Sequence, residues 1–183
     1  MVNYVQPIRD ISKIEEIKNI LKRKNYRDYF LFTFGINCGL RISDILNLKV
    51  KHVKGQSHIT LKEKKTGKAK RLRINNSLQN EISQYVKGMN DGDYLFPSRN
   101  GQGIKPITRV RAYMILNEAA RVAGISEIGT HTLRKTMGYH FYQRTKDVAL
   151  LQEIFNHSAP SITMRYIGIN QDIIDSALDD FSL

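Results

Sequence analysis

Ser57-His58-Ile59-Thr60-Leu61-Lys62-Glu63-Lys64-Lys65-Thr66-Gly67-Lys68-Ala69-Lys70-Arg71-Leu72-Arg73-Ile74 is the stretch that decides the fold class. Ile59 and Leu61 alternate with polar neighbours, Leu72 and Ile74 do so again, and the basic segment between them contains Gly67. A period of two on both sides of a glycine-containing turn predicts a β-hairpin. Outside this hairpin the apolar residues fall at helical spacing, so the hairpin is the exception in a helical chain.

Upstream, Ser12-Lys13-Ile14-Glu15 has the form of a capping box, and Ile14, Ile17, Ile20 and Leu21 continue at helical spacing. A second helix is expected from Asn25 through Tyr29-Phe30-Leu31-Phe32-Thr33-Phe34. It is apolar almost all round and therefore buried, with Gly39 ending it in a left-handed conformation. Ser43 is a fitting cap for a short helix through Leu46. Downstream, helical spacing runs from about Ser77 to Val86. A Gly-, Asp-, Asn- and Pro-rich loop then spans Gly88 to Pro106 around Tyr94-Leu95-Phe96-Pro97-Ser98. From Thr108 the chain reads as successive helices broken at Gly124, Gly129, His157-Ser158 and Gly168. The expected fold is α+β, mainly α: a single domain over residues 1–183 with a small antiparallel β-sheet.

Hydrophobic residues make up 41% of the 183, an ordinary globular share, and no apolar run reaches the length of a bilayer-spanning helix. Met1-Val2-Asn3-Tyr4 lacks the basic-then-apolar start of a secretory signal, and the lone cysteine, Cys38, has no partner for an intrachain disulfide. A reducing, cytoplasmic setting with no membrane association is expected. Lys and Arg outnumber Asp and Glu 29 to 17, a net charge of +12. Asp172, Asp175, Asp179 and Asp180 fall in residues 170–183, which hold no Lys or Arg, so the rest of the chain is more basic still. Such a surplus suits a polyanion, chiefly nucleic acid.

The polar residues narrow the chemistry. Neither a phosphate-binding Gly-x-x-x-x-Gly-Lys-Ser/Thr loop nor a strand-linked Gly-x-Gly-x-x-Gly is present. The carboxylates do not converge as a two-metal nuclease requires, and His52, His58, His131, His140 and His157 make no metal-ligand spacing with Cys38. What remains is a set of cations with hydroxyl nucleophiles. Arginine grips two phosphate oxygens at once, histidine moves protons near neutral pH, and a lysine among other cations can protonate a leaving oxygen. In Gly129-Thr130-His131-Thr132-Leu133-Arg134-Lys135-Thr136, a helix would bring His131 and Arg134 to one face. Arg109 and Arg111 open a later helix as candidate DNA contacts, beside Lys64, Lys68 and Lys135; a solvated face explains them equally well. His140, next to Phe141 and Tyr142, reads as packing or surface.

Several segments in this order resemble the tyrosine recombinase (phage integrase) family across nearly the whole chain. Gly39-Leu40-Arg41-Ile42-Ser43-Asp44-Ile45-Leu46-Asn47-Leu48 is similar to the family's first arginine box. His131-Thr132-Leu133-Arg134 matches its His-x-x-Arg box, and Asn156-His157-Ser158 its Gly-His-Ser segment. Lys64-Lys65-Thr66-Gly67 resembles the lysine hairpin, and Leu95-Phe96-Pro97-Ser98 is another recurrent segment. Tyr166, one of nine tyrosines, is set apart by its spacing from His157.

The resemblance implies a site-specific DNA recombinase acting on double-stranded DNA. Arg41 and Arg134 clamp the scissile phosphate, Lys65 protonates the departing 5′ oxygen, His131 assists proton transfer, and His157 adds a phosphate hydrogen bond. Tyr166 attacks to leave a 3′-phosphotyrosyl link. No metal, cofactor or small-molecule ligand is implied, because one phosphodiester is exchanged for another ester.

Lys135 stands where many relatives have histidine, which implies a changed local contact. Asn156 replaces a usual glycine, but asparagine tolerates the left-handed backbone. An N-terminal core-binding domain, common in relatives, is not expected. Ile173, Ile174, Ala177, Leu178 and Phe181 form an apolar helix face that either folds back on its own core or docks onto a neighbour in a DNA-bound homo-tetramer. Two other readings are a DNA-binding regulator on a recombinase-like fold and a type IB topoisomerase.

Overall fold

The computed structural model of the chain describes residues 5–99, 103–126, 128–179 and 181–182, with Ala177 described in its backbone only. Met1–Tyr4, Asp180 and the Ala177 side chain therefore lie outside the described residues.

Local chemistry explains most of the helix boundaries. Helix α1 (Ile11–Lys24) is capped by Asp10, whose carboxylate accepts from the Ser12 amide at 2.7 Å. The expected capping box at Ser12 does not form. The carboxylate two residues earlier takes the free amide, and Glu15 pairs instead with Lys18 at 2.6 Å. Helix α2 (Tyr26–Cys38) starts at Asn25, which caps the Arg27 amide, and ends at Gly39 with φ 63°, as expected. It is buried along nearly its whole length. Helix α3 (Ile42–Leu46) follows Arg41, which occupies the capping position without a side-chain bond. Ser43 lies inside that helix, so its expected role as cap is not borne out.

Strands β1 (His58–Lys62) and β2 (Ala69–Arg73) form the expected antiparallel pair, with Ile59 opposite Leu72 and Lys62 opposite Ala69. Helix α4 (Asn76–Tyr85) leads into the long loop, which is stitched to the body by the bridge Lys49–Tyr94 and closed on itself by the bridge Pro97–Pro106. Helix α5 (Arg109–Val122) is capped by Thr108. Helix α6 (Thr132–Thr145) stops at Lys146, which takes the left-handed conformation with φ 55°; this break carries no glycine to announce it. Helices α7 (Val148–Phe155), α8 (Pro160–Ile167) and α9 (Ile169–Asp179) complete the chain. Asn156 between α7 and α8 has φ 52°, so it adopts the glycine-like turn expected of it.

Two apolar clusters divide the interior. The larger joins α1 to α5 and the hairpin around Phe30, Phe34 and Phe96, with the Tyr85 ring stacked on Phe30 at 4.1 Å. The smaller holds Leu151, Phe155, Ile167 and Ile169, with Met137 and Tyr166 packed against it. Fully burying side chains of this size contributes about 1.5–3 kcal/mol each. Along the seam between the clusters the contacts are polar. The Arg134 guanidinium donates to the Gly39 carbonyl at the end of α2 and to the Phe155 carbonyl at the end of α7, both at 2.7 Å. Lys70 donates to the Ile154 carbonyl, and Asn156 donates to Glu63 at 3.1 Å. The fold thus gathers cations where its two apolar clusters meet.

Candidate active site

Arg134 anchors the site. It is only 2% exposed, and its guanidinium also lies 4.2 Å over the Phe155 ring. A guanidinium has five N–H donors, so the two carbonyl bonds leave three for a ligand. Arg41 enters from the start of α3, with Nη1 2.7 Å from Glu63 Oε1. That ion pair takes up Nη1, and the Arg41 side chain stays 14% exposed.

Tyr166 projects from α8 into the same space, half-buried against Phe155 and His157. Its hydroxyl is 3.1 Å from His131 Nδ1, at the start of α6. Burial pushes the phenol pKa up, while the Arg134 and Arg41 charges pull it down. Burial lowers the His131 pKa, and the charges of Arg109, Arg134, Lys135 and Lys65 lower it further. A neutral imidazole with Nδ1 unprotonated can therefore accept the phenol proton.

His157 sits in the turn between α7 and α8 with its ring 5.1 Å from that of Tyr166. Its Nδ1 contacts Thr163 Oγ1 at 3.0 Å, which leaves Nε2 for a ligand. Burial and then the Arg134, Arg41 and Lys70 charges bring its pKa down to about 4, so it is neutral at ordinary pH.

Arg41, His131, Arg134, His157 and Tyr166 are thus brought together. Lys65 is not in contact with them: it is exposed in the hairpin turn, close enough for its charge to act on His131. Lys64 and Lys68 are exposed beside it, and the Lys64 amide donates to Asp44 Oδ1 at 3.0 Å, tying the turn to α3. Arg109 lies at the rim, 3.5 Å from Thr130 Oγ1, and Arg111 is exposed on α5. Lys135 lies closer in than its sequence position suggested, with Nζ 5.1 Å from the centroid of the Tyr166 ring. His140 is a packing residue, 2.9 Å from the Ile8 carbonyl.

Two participants escaped sequence reasoning. Glu63 is fully buried, and against the penalty of burial the Thr66 hydroxyl, Arg41, the Asn156 amide and Lys70 bring its pKa down to about 2. Lys70 is buried too, held by Glu63 at 3.3 Å and by the Ile154 carbonyl. The available signal was that Glu63 is the only acidic residue in a hairpin otherwise rich in lysine and arginine. Among the described residues no three His, Cys, Asp or Glu side chains converge to hold a metal ion. No helix among them is long and apolar enough to cross a membrane.

A tyrosine hydroxyl within reach of a histidine, beside two arginines, on a helical body with one hairpin is the arrangement that the resemblance to tyrosine recombinases implied. The comparisons agree. The phage integrase family model matches residues 10–172. The probable integrase/recombinase YoeC of Bacillus subtilis (strain 168) is 57% identical over 180 residues, covering 98% of both chains. The tyrosine recombinase XerA of Pyrococcus furiosus is 26% identical over 174 residues, 94% of this chain but 60% of that protein. The fold is shared with the site-specific recombinase XerH crystallised on its difH substrate in a pre-cleavage complex. That match has a TM-score of 0.71 and 18% identity, covering 100% of this chain and 56% of that one. The chain belongs to the phage integrase family.

Proposed function

We propose that this protein recombines double-stranded DNA at specific sites through a covalent 3′-phosphotyrosyl intermediate on Tyr166. The observation that carries the reading is the 3.1 Å approach of the Tyr166 hydroxyl to His131 Nδ1 within one chain, under the charges of Arg41 and Arg134. The free guanidinium edges bind the non-bridging oxygens of the scissile phosphate. Tyr166 passes its proton to neutral His131 as its oxygen bonds to phosphorus. The bond from phosphorus to the 5′ oxygen breaks, and Lys65, brought in from the exposed turn, protonates that oxygen. His157 Nε2 donates to the phosphate. Charge building on the pentacoordinate phosphorus is met by fixed cations, the largest source of acceleration in sites of this type. Religation reverses the steps with a 5′ hydroxyl as nucleophile.

Arg109, Arg111, Lys64, Lys68 and Lys135 serve as further DNA contacts in this reading. Helix α9 presents Ile173, Ile174 and Leu178, and Phe181 follows; all are more than half exposed. Exposed apolar residues in a row mark a contact surface. In this reading they dock onto the next protomer of a homo-tetramer on DNA, in the cytoplasm. Asp172 in the first turn is held at 2.8 Å by Arg9 of its own chain, which fixes where α9 departs.

A nicked suicide duplex carrying the cognate site tests the reading, because the released strand diffuses away and traps the adduct. The wild-type chain should become covalently attached and Tyr166→Phe should not. An undiminished adduct in Tyr166→Phe would overturn the nucleophile assignment. Relaxation of a supercoiled plasmid lacking the site would favour a type IB topoisomerase, and tight binding with no adduct a regulator.

A further inference from the structure

Glu63 has a cluster of contacts that the strand-transfer steps above do not use. Its Oε1 lies 2.7 Å from Arg41 Nη1 and 3.3 Å from Lys70 Nζ. Its Oε2 accepts from Thr66 Oγ1 at 2.7 Å and from Asn156 Nδ2 at 3.1 Å. Thr66 adjoins Lys65, and Asn156 adjoins His157. One carboxylate therefore touches Arg41 directly and, through immediate neighbours, the segments that carry two more site residues.

Folding alone gives little reason for this arrangement. A buried ion pair contributes about as much as well-packed apolar groups of the same size would, whereas removing one partner leaves a costly uncompensated charge. Three separate pieces of chain meet at the carboxylate: the residue ahead of α3, the hairpin, and the α7–α8 turn. Arg41 has a long, flexible side chain that can only donate, and the ion pair with Glu63 at 2.7 Å holds its Nη1 on the side of the hairpin. Resting on the strand-cleavage reading of this site, we propose that Glu63 is a positioning residue for cleavage. It holds Arg41 and the His157 turn in the geometry the phosphate requires and sets the base of the lysine turn.

The sign of its effect on binding separates this role from a contact that serves affinity. A carboxylate beside the phosphate clamp opposes the approach of DNA, so neutralising it should leave affinity unchanged or raise it. Misplacing a reacting group by about 1 Å costs on the order of 100-fold in rate. In the full chain, Glu63→Gln should therefore slow single-turnover adduct formation on the suicide duplex by about 100-fold. The dissociation constant for the same duplex, measured in a Tyr166→Phe background to prevent cleavage, should not weaken by more than about threefold.

If Glu63→Gln fails to fold because Lys70 and Arg41 lose their counter-charge, the pair Glu63→Gln with Lys70→Met removes one anion and one cation together. The cleavage rate of that pair should be reduced in the same way. An adduct rate within about threefold of wild type in either variant would overturn the proposal, as would affinity and rate falling in parallel. Those results, obtained with a wild-type chain that forms the adduct and a Tyr166→Phe chain that does not, would leave the recombinase reading intact. Absence of the wild-type adduct would fail both.

Discussion

Gly138 lies on the face of α6 that packs against α7 and α8. A Cβ added there would stand 2.7 Å from two carbons of the Phe155 ring and 2.8 Å from Ile167 Cγ2. Carbon atoms prefer about 3.5 Å or more, so Gly138→Ala requires the Phe155–Ile167 layer to move outward by about 0.8 Å. Overpacking of this size costs about 1–3 kcal/mol, and alanine returns about 1 kcal/mol of helix propensity over glycine. The net destabilisation is ~0–2 kcal/mol, which in a chain of this length lowers Tm by at most about 8 °C.

Catalysis should suffer more than the fold. Phe155 gives its carbonyl to Arg134, and Ile167 is the neighbour of Tyr166 on α8. The displaced layer thus carries Tyr166 away from His131 while loosening Arg134. Such a shift should slow adduct formation by about 100-fold. The assay is the single-turnover suicide reaction run beside a thermal melt. A Gly138→Ala protein cleaving within about threefold of wild type would refute the claim that packing in the smaller cluster positions Tyr166.

Arg134→Lys should abolish the adduct and also destabilise the protein. A lysine cannot serve the Gly39 and Phe155 carbonyls in the same bidentate manner, and each unmet buried carbonyl costs about 1–3 kcal/mol, readable as a lower urea midpoint. His157 has its pKa depressed from 6.5 to about 4, so the folded protein binds fewer protons than the unfolded chain between those values. Its share of stability is complete above about pH 6.5 and is lost as the pH falls toward 4; His157→Gln should flatten that part of the stability profile measured by urea unfolding. Replacing Ile173 and Leu178 with aspartate should change folding stability by no more than ~0.5 kcal/mol each, since both are exposed. The same change should remove higher-order protein–DNA complexes in sedimentation experiments while single-protomer binding remains.

Much of the fold could be read from local chemistry. Asn25 and Gly39 bracket α2 because an amide-capping side chain and a left-handed turn leave distinct residues behind, and the hairpin register follows from its alternation. Lys146 is illegible in the sequence because lysine has no preference for the left-handed conformation it adopts there. The cap of α1 falls two residues before the one the sequence predicts, because Asp10 and Ser12 both offer oxygens and only the backbone path decides which one meets a free amide. At the site, the residues proposed to touch phosphate fall in recognisable boxes. The residues that orient them do not, since Glu63, Lys70 and the Lys135 contact depend on segments far apart in sequence coming together.

The central claim is a covalent bond from Tyr166 to a DNA 3′ phosphate, and mapping that bond tests it most directly. After trapping on the suicide duplex, nuclease and trypsin digestion should leave the nucleotide remnant on the C-terminal peptide that begins after Arg165 and contains Tyr166 as its single tyrosine. The released strand should carry a free 5′ hydroxyl that kinase labels without prior phosphatase treatment. A remnant on Tyr139 or Tyr142, on a serine, or joined through a 5′ phosphate would contradict the account.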